Sequence, residues 1–471
     1  MREITLVVKK GCETCVMIEP VIRQLAAEQP LRVFCQDVAD FPEGMDSIYD
    51  ESLAQSYALG VEIVPTLIVT EAGHEIARTE GWDRSVWEPL LGLSLSANIP
   101  GFRPGCGSKT LDPGMPERLA AQFDGDKLSA RRLTFDESDP FEVGYDQGWS
   151  DGLPIVPPTT ERVFRMLSGT TRDPSEIIGA IPPDYAPCSV EKIAINAVMA
   201  GCLPEYLPVV IASVEAVLED QFCMHGLLAT TYFSGPMIVV NGPLSRSIGM
   251  NSGGNALGQG NRANATIGRA LQLVIRNVGG GRPGGVDRAA LGNPGKYTFC
   301  FAEDELNSCW TSLSEDAGFQ SDTSTVTVFA ADGVQGIVDQ KSRSPESLAR
   351  SFAAGLRAIG HPKMVQGSDA FLVVSPEHER VFREANWSKA ELIERLRTLL
   401  MISGQELVQG AAGIEEGLPI ALKDKTICKF RADGLKIVRA GGTAGLFSAI
   451  IAGWGASGAI GSVPVTREIT L

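Results

Sequence analysis

Apolar and polar residues recur with two different spacings in the first 95 residues, and the order of these spacings predicts a small α/β domain. Alternating segments rich in β-branched residues are typical of strands, whereas spacings of three and four residues are typical of helices. The order is strand, helix, strand, helix, strand, strand, helix. The segments are 3–9, 16–28, 31–37, 52–59, 61–69, 74–78 and the residues after Trp82.

The strongest helical pattern lies further along, at residues 189–220. Two apolar helices are interrupted there by Gly201-Cys202-Leu203-Pro204. Proline is best tolerated in the first turn of a helix, so Pro204 and Pro208 indicate that a second helix begins at this point. Cys202 is therefore expected in the break, close to the positive end of the second helix.

Strand and helix patterns then alternate to the end of the chain, which predicts a doubly wound or layered α/β domain over residues 151–471. The segment between the two domains, residues 96–150, is rich in glycine and proline and predicts a linker. Strands are predicted at 237–240, 295–303, 324–330, 370–375 and 436–439, and helices at 265–278, 345–359 and 389–400.

Composition and charge exclude several classes of protein. The net charge of −16 argues against a nucleic-acid partner, because nucleic-acid binding requires a basic surface. No run of 18 apolar residues is present, so no membrane span is expected, and the N-terminus lacks the features of a signal peptide. We therefore expect a cytoplasmic protein. In that reducing compartment its ten cysteines would be free, catalytic or metal-bound rather than a disulfide scaffold.

A C-x-x-C motif, Cys12-Glu13-Thr14-Cys15, stands where the first strand runs into the first helix, and Val64-Pro65-Thr66 precedes a later strand. This arrangement resembles a thioredoxin-like domain, in which a cis-proline loop packs against the C-x-x-C. A cysteine at a helix N-terminus has a lowered pKa. The resemblance implies that Cys12 attacks a disulfide and that Cys15 resolves the mixed disulfide.

The motif departs from that family at two positions, because Gly11 replaces the usual tryptophan and Glu13 places a negative charge between the thiols. We expect Glu13 to raise the pKa of Cys12. A structural or metal-binding C-x-x-C stays open as an alternative. Cys106, flanked by glycines in the predicted linker, is either a relay thiol or a cysteine buried under the linker.

Cys202 is the candidate nucleophile of the large domain, because a helix N-terminus stabilises a thiolate. Lys192 and Asn196, one helical turn apart, and His225 are candidates to supply charge, hydrogen bonds or a proton. Cys300 is expected on a strand, on the same side as Lys296. The alternative for both cysteines is that they fill the core as small apolar residues.

The stretch 248–269 combines many glycines and amides and leads into a predicted helix. Glycines allow the backbone to approach a ligand, and N–H groups at a helix start bind anions. We expect a small anionic substrate here. The alternative is a loop whose asparagines bond their own backbone. The candidate substrate-binding residues are Asn241, Asn251, Asn255, Asn261, Arg262, Asn264 and Lys296.

Residues 150–471 resemble a bacterial family associated with UGSC (seleno)proteins. The resemblance rests on the sequences GLPIVPPT, VEKIAINAVMAGCLPEYLPVV, NATIGRAL and GGTAGLFSAIIAGW and on the segment around KYTFCFAE. It implies thiol or selenol chemistry but supplies no mechanism. The family's Sec-Gly-Ser-Cys tetrapeptide is absent, since Gly105-Cys106-Gly107-Ser108-Lys109 matches only its first three positions and lacks the terminal cysteine. The expected fold is α/β, with an N-terminal thioredoxin-like domain and a large layered α/β domain.

Three functions are compatible with these features. The leading hypothesis is a thiol-dependent oxidoreductase in which Cys202 reacts with a small anionic substrate, by reductive cleavage or sulfur transfer, and Cys12 and Cys15 supply reducing equivalents. Linking the two domains would raise the effective thiol concentration. The alternatives are a lyase, isomerase or hydrolase using Cys202 and Cys300 as an acid–base pair, and a carrier of soft metals or thiols.

The partners follow from the leading hypothesis. We expect no cofactor, since no nicotinamide or flavin pattern is convincing, and no resident metal ion. An external thiol reductant would restore the reduced form. A closed homo-oligomer is expected, because most oligomers of a single chain are closed.

Overall fold

A computed structural model describes residues 2–95, 98–135, 139–410, 417–455 and 462–471. The chain forms two compact units, which we call the N-terminal unit (1–128) and the C-terminal unit (129–471). Both contain helices and sheets, so the predicted α/β class is confirmed. The division falls inside the predicted 96–150 linker, and that segment carries strands and helices of its own.

The N-terminal unit is built on a five-stranded sheet with the order β3-β2-β1-β5-β6. Strand β1 pairs in parallel with β2 and antiparallel with β5. The strands are β1 (Arg2–Val8), β2 (Leu31–Cys35), β3 (Ile48–Tyr49), β4 (Ile63–Val64), β5 (Thr66–Glu71), β6 (His74–Glu80), β7 (Trp82–Asp83), β8 (Phe102–Arg103) and β9 (Cys106–Gly107). The helices are α1 (Glu13–Met17), α2 (Glu19–Glu28), α3 (Ala54–Ala58), α4 (Arg84–Leu91) and α5 (Met115–Phe123).

The start of the predicted linker belongs to the N-terminal unit. Strand β9 pairs with β4, and β8 pairs with β7. The side chain of Gln36, fully buried at the end of β2, donates to the Ser108 hydroxyl at 2.7 Å. Backbone pairing and buried hydrogen bonds therefore fix residues 102–110 to the domain predicted for residues 1–95.

The C-terminal unit contains the other strands and helices. The strands are β10 (Ile177–Ile181), β11 (Ala186–Ser189), β12 (Gly235–Asn241), β13 (Cys300–Ala302), β14 (Thr325–Val338), β15 (Ala370–Val374), β16 (Met401–Ser403), β17 (Thr426–Cys428), β18 (Leu435–Arg439), β19 (Phe447–Gly453) and β20 (Val465–Glu468). The helices are α6 (Pro140–Asp146), α7 (Thr160–Leu167), α8 (Val190–Ala200), α9 (Leu207–Val217), α10 (Met224–Ala229), α11 (Pro243–Ser247), α12 (Arg262–Asn277), α13 (Leu313–Asp316), α14 (Pro345–Ala358), α15 (Pro376–Glu384), α16 (Lys389–Leu399) and α17 (Gly404–Val408).

The large sheet of this unit is mixed rather than doubly wound. Its order is β13-β12-β14-β19-β15-β18, with β20 also paired to β14. The pairs β12–β13 and β15–β18 are parallel, whereas β14 is antiparallel to β12, β19 and β20. The two ends of this order meet, because the N–H of Asp304 after β13 donates to the Arg439 carbonyl of β18 at 2.9 Å. The carboxyl ends of β13 and β18 therefore lie side by side.

The two apolar helices predicted at 189–220 are confirmed as α8 and α9. Ser189 caps α8, and Gly201 ends it in the left-handed region at φ 91°. Pro208 lies in the first turn of α9, as proline prefers. None of the helices in the described ranges combines the length and the apolar character that crossing a bilayer requires.

Candidate functional site

Three cysteines of the N-terminal unit meet where β1 runs into α1. Cys12 is the N-cap of α1, and its sulfur accepts a hydrogen bond from the Cys15 N–H at 3.4 Å. The Cys106 sulfur, on β9, lies 2.6 Å from the Cys12 sulfur. The Val64 carbonyl, which precedes cis-Pro65, is 3.4 Å from the same sulfur. A third thiol, that of Cys106, therefore lies beside the C-x-x-C motif although it is distant in the sequence.

Side chains next to the motif hold the Cys106 segment in place. The Thr14 hydroxyl donates to the Pro104 carbonyl at 2.7 Å, and the Lys9 ammonium donates to the Gly107 carbonyl at 2.6 Å. Arg103 forms an ion pair with Glu13. These three contacts lie on either side of Cys106 and fix its sulfur beside Cys12.

The Cys12 environment favours the thiolate. The hydrogen bond from the Cys15 thiol, helped by the Cys106 thiol and by backbone N–H groups, lowers the pKa of Cys12 to about 5 against the opposing effect of burial. The rise in pKa expected from Glu13 is therefore not found, since that carboxylate pairs with Arg103. Burial raises the pKa of Cys15 far above its usual range, and that thiol stays protonated.

Cys202 and Cys300 differ from Cys12 in that their pKa values are raised. Both are buried in the C-terminal unit, with 6% of each residue exposed. Burial raises the pKa of Cys202 to about 12, although the Thr266 hydroxyl and two arginines act in the other direction. Burial also raises the pKa of Cys300, and a charge on Cys202 would raise it further. The low pKa predicted for Cys202 is therefore wrong. Its predicted place at the start of the second helix is wrong too, because its N–H donates to the Ala197 carbonyl at the end of α8, and α9 begins only at Leu207.

The side chains expected to assist Cys202 have other partners. The Lys192 ammonium donates to the Pro187 carbonyl at 2.6 Å, and the Asn196 amide donates to the Lys192 carbonyl. His225 is exposed and stacks on Tyr185, with ring centroids 5.8 Å apart.

Lys296 was expected on the Cys300 strand. It lies instead in a 3₁₀ turn before that strand, and it forms an ion pair with Asp287 at 2.7 Å. The predicted strand 295–303 is thus shorter than expected, and it begins only at Cys300.

The asparagines of the glycine-rich loop mainly hold the loop itself, as in the alternative considered above. Asn261 caps α12, and the Asn264 amide donates to the Asn251 and Ala256 carbonyls. Asn251 and Asn255 donate to carbonyls within the loop. Arg262 donates to the Gly201 carbonyl at 2.9 Å. These side chains therefore shape the loop and have partners within the protein.

The backbone of the same loop does reach a cavity. A space of about 570 Å³ is lined by Gly253, Gly254, Asp304, Asn307, Pro376, Arg383, Arg439, Gly441, Gly442 and Thr443. Gly442 approaches Gly254 so closely that a Cβ on Gly442 would lie 3.3 Å from the Gly254 Cα. Two glycine loops and two arginines thus line an open space at the carboxyl ends of β15 and β18, where ligands of α/β sheets commonly bind.

A buried charged network supports this end of the sheet. The Asn241 amide donates to Glu303 at 2.7 Å and to Glu305 at 3.0 Å. Arg439 forms ion pairs with Asp304 and with the fully buried Glu379, the latter at 2.9 Å. Burial raises the pKa of Glu303 to about 7. Asn241 was predicted to bind substrate, but its side-chain NH₂ group donates to these two carboxylates.

Sequence reasoning missed Glu303, Arg383 and Arg439. Glu303 follows β13, and Arg439 ends β18, so their positions at strand ends were an available signal. Arg383, near the end of α15, carried no local signal.

Another buried pair joins α15 to β19. The His378 Nε2–H donates to the Asp339 carbonyl at 3.1 Å, which leaves Nδ1 to accept from the Ser448 hydroxyl at 2.7 Å. Burial lowers the pKa of His378. Because His378 and Ser448 are both buried, we assign this pair a structural role.

Comparison with known proteins adds no identity, since neither a protein-family model nor a curated protein matches the chain. In the described part of the chain, no group of three or more His, Cys, Asp or Glu side chains is arranged to hold a metal ion. All ten cysteines are free.

Proposed function

We propose that this protein is a thiol-dependent oxidoreductase whose N-terminal unit supplies reducing equivalents for a small anionic substrate of the C-terminal unit. The observation that carries the proposal is the environment of Cys12, which lowers its pKa to about 5. The thiolate is the reactive form of cysteine, so a thiol ionised at neutral pH is suited to disulfide exchange.

The order of elements in the N-terminal unit supports a thioredoxin-like assignment. A parallel β1–β2 pair joined through helices is followed by an antiparallel β5–β6 hairpin. The C-x-x-C lies at the N-terminus of α1, and the Val64 carbonyl, which precedes Pro65, is 3.4 Å from the Cys12 sulfur. We propose thioredoxin-like chemistry for this unit on these grounds.

The cavity of the C-terminal unit is the proposed substrate site. Arg383 brings positive charge to its wall, Arg439 is paired with Asp304 and Glu379, and Asn307 supplies an amide. The glycines at 253, 254, 441 and 442 let a ligand approach the backbone closely. Together these groups fit a small anion such as a carboxylate or a phosphate ester. The similarity to UGSC-associated proteins stays a prediction.

We leave Cys202 out of the proposed sulfur chemistry. With its pKa raised to about 12, only a minute fraction of this thiol is ionised at neutral pH. The same burial argument weakens the alternative in which Cys202 and Cys300 form an acid–base pair. Cys12 is therefore the stronger candidate for the reactive sulfur.

The test uses the full chain, reduced and freed from small thiols, with bis(2-hydroxyethyl) disulfide as the probe. We expect one disulfide to be consumed per chain and two small thiols to be released. Cys12→Ser should abolish this release, whereas Cys35→Ala, which removes a buried thiol of the same unit, should keep it. Equal release by wild type and Cys12→Ser would contradict the proposal.

A further inference from the structure

Cys12 has two neighbouring thiols, and the structure distinguishes their roles. The Cys106 sulfur is 2.6 Å from the Cys12 sulfur. Cys15 contacts the same sulfur through its backbone N–H at 3.4 Å and through its thiol, which donates a hydrogen bond to it. Cys15 is fully buried, and burial keeps it protonated. Cys106 is thus the thiol placed to form a bond with Cys12, and Cys15 is placed to support the thiolate.

The backbone around Cys106 holds this cysteine beside Cys12. Strand β9 pairs antiparallel with β4, so that Cys106 is opposite Val64. A Cβ on Gly105 would lie 2.8 Å from the Val64 carbonyl oxygen and 2.3 Å from the Ile63 side chain. Only glycine allows such an approach, and the approach brings the following cysteine onto Cys12.

The two sulfurs also differ in exposure. Cys12 is fully buried, whereas Cys106 is partly exposed. In a disulfide between the two cysteines, the Cys106 sulfur is therefore the one that an external reductant can reach. Burial raises the pKa of Cys106 while that of Cys12 is lowered, so the pair holds its proton on Cys106 and its negative charge on Cys12.

We propose that Cys106, rather than Cys15, is the redox partner of Cys12, and that a Cys12–Cys106 disulfide is the oxidised form of the N-terminal unit. This inference rests on the proposed thiol function and names the partner within it. Cys15 is then a positioning residue for the Cys12 thiolate.

The exchange proceeds in two steps. The Cys12 thiolate attacks a disulfide R–S–S–R′; a Cys12–S–S–R bond forms, and R′S⁻ leaves and takes up the proton of Cys106. The Cys106 thiolate then attacks the Cys12 sulfur, so that the Cys12–Cys106 bond forms and RS⁻ leaves and is protonated by solvent. The two cysteines lose two electrons, and the substrate disulfide gains them. An external thiol reduces this disulfide by attacking the exposed Cys106 sulfur; Cys12 leaves as the thiolate, because thiols of low pKa leave faster, and a second external thiol then releases Cys106.

Disulfide mapping of the wild-type chain tests the proposal without any substitution. Reduced protein is treated with one equivalent of bis(2-hydroxyethyl) disulfide, the remaining thiols are alkylated at acid pH, and the peptides are mapped by mass spectrometry. We expect a peptide pair joining Cys12 to Cys106. A Cys12–Cys15 bond as the main product would overturn the proposal.

Variant kinetics provide the second readout. In Cys106→Ala the release of the second small thiol should fall by at least about 100-fold, because the intramolecular attack is lost and a mixed disulfide accumulates on Cys12. Cys15→Ala should react more slowly but still release both thiols, and Cys35→Ala is the matched control. If Cys15→Ala stops at the mixed disulfide while Cys106→Ala releases both thiols, Cys106 is the wrong partner and the thiol function stands. If Cys12→Ser equals wild type, the thiol function itself fails.

Discussion

Cys12 and Cys202 both lie at a helix end, yet their thiols differ sharply. Cys12 is the N-cap of α1 and receives hydrogen bonds from neighbouring thiols and N–H groups, which lower its pKa to about 5. Cys202 follows the C-terminal end of α8, where its N–H donates to the Ala197 carbonyl at 2.9 Å, and burial raises its pKa to about 12. Donors aimed at the sulfur outweigh burial at Cys12, whereas burial outweighs the Thr266 hydroxyl at Cys202.

The comparison is tested first by titration, where the largest effect is expected. The ultraviolet absorbance of thiolate in reduced wild type should show a transition with a midpoint of about 5 that is missing in Cys12→Ser. Lowering a pKa from 9.0 to about 5 raises the acid dissociation constant by about 10⁴-fold. A first transition near 9 would remove the contrast between the two cysteines.

The second-largest effect is expected in the rate of exchange with a small disulfide. Cys12→Ser should slow the reaction with a small disulfide by at least about 100-fold, because the thiolate is lost. Cys202→Ala should stay within about twofold of wild type, since that thiol is not ionised at neutral pH. The measurement is stopped-flow release of the small thiol by the full chain. A large loss of rate in Cys202→Ala, with a normal circular dichroism spectrum, would show that the nucleophile is Cys202 of the C-terminal unit.

The pH dependence of the free energy of unfolding tests whether burial raises the pKa of Glu303. Its pKa is raised from 4.5 to about 7. The unfolded chain thus releases this proton at lower pH than the folded chain, and the free energy of unfolding decreases as pH rises from about 4.5 to 7. The decrease is at most about 3 kcal/mol.

The variant Glu303→Gln isolates that contribution. Its amide cannot ionise but keeps an oxygen to accept from the Asn241 amide and the Leu313 N–H. The difference between wild type and variant in the melting temperature of the C-terminal unit should change with pH over this range. A constant difference from pH 4.5 to 8 would show that Glu303 has an ordinary pKa.

The smallest effect is expected at the cavity. Arg383→Ala should weaken binding of a small anion, measured with inorganic phosphate by calorimetry, by about tenfold, the lower end of what one hydrogen bond to a charged group contributes. Arg380→Ala is the matched control, because Arg380 is on the same helix and pairs with Glu384. Equal phosphate affinity in the two variants would show that Arg383 does not bind the anion.

The sequence predicted the elements far better than the site. Helices such as α8, α14 and α16 and strands such as β12 and β15 lie close to their predicted limits, because periodicity and caps are local signals. Cys106 could be recognised only as a cysteine in a loop. Its partner Cys12 is distant in the sequence, and no local pattern reports the β4–β9 pairing that brings them together.

The cavity of the C-terminal unit is also formed by residues that are distant from one another in the sequence. Gly254 and Gly442 approach each other from loops that are far apart along the chain, and Arg383 comes from a third segment. The amide-rich composition of residues 248–269 did identify one wall of this cavity. It did not show that the asparagines bond within the loop and leave the glycine backbone exposed to the cavity.

The most direct measurement is a ranking of all ten cysteines by their reaction with a limiting amount of a small disulfide. The reduced full chain receives a tenth of an equivalent of bis(2-hydroxyethyl) disulfide at neutral pH and is quenched in acid, and the oxidised cysteines are identified by mass spectrometry. We predict that the oxidised sulfur is found on Cys12 and Cys106. Oxidation first at Cys202 or Cys300 would contradict the assignment of sulfur chemistry to the N-terminal unit.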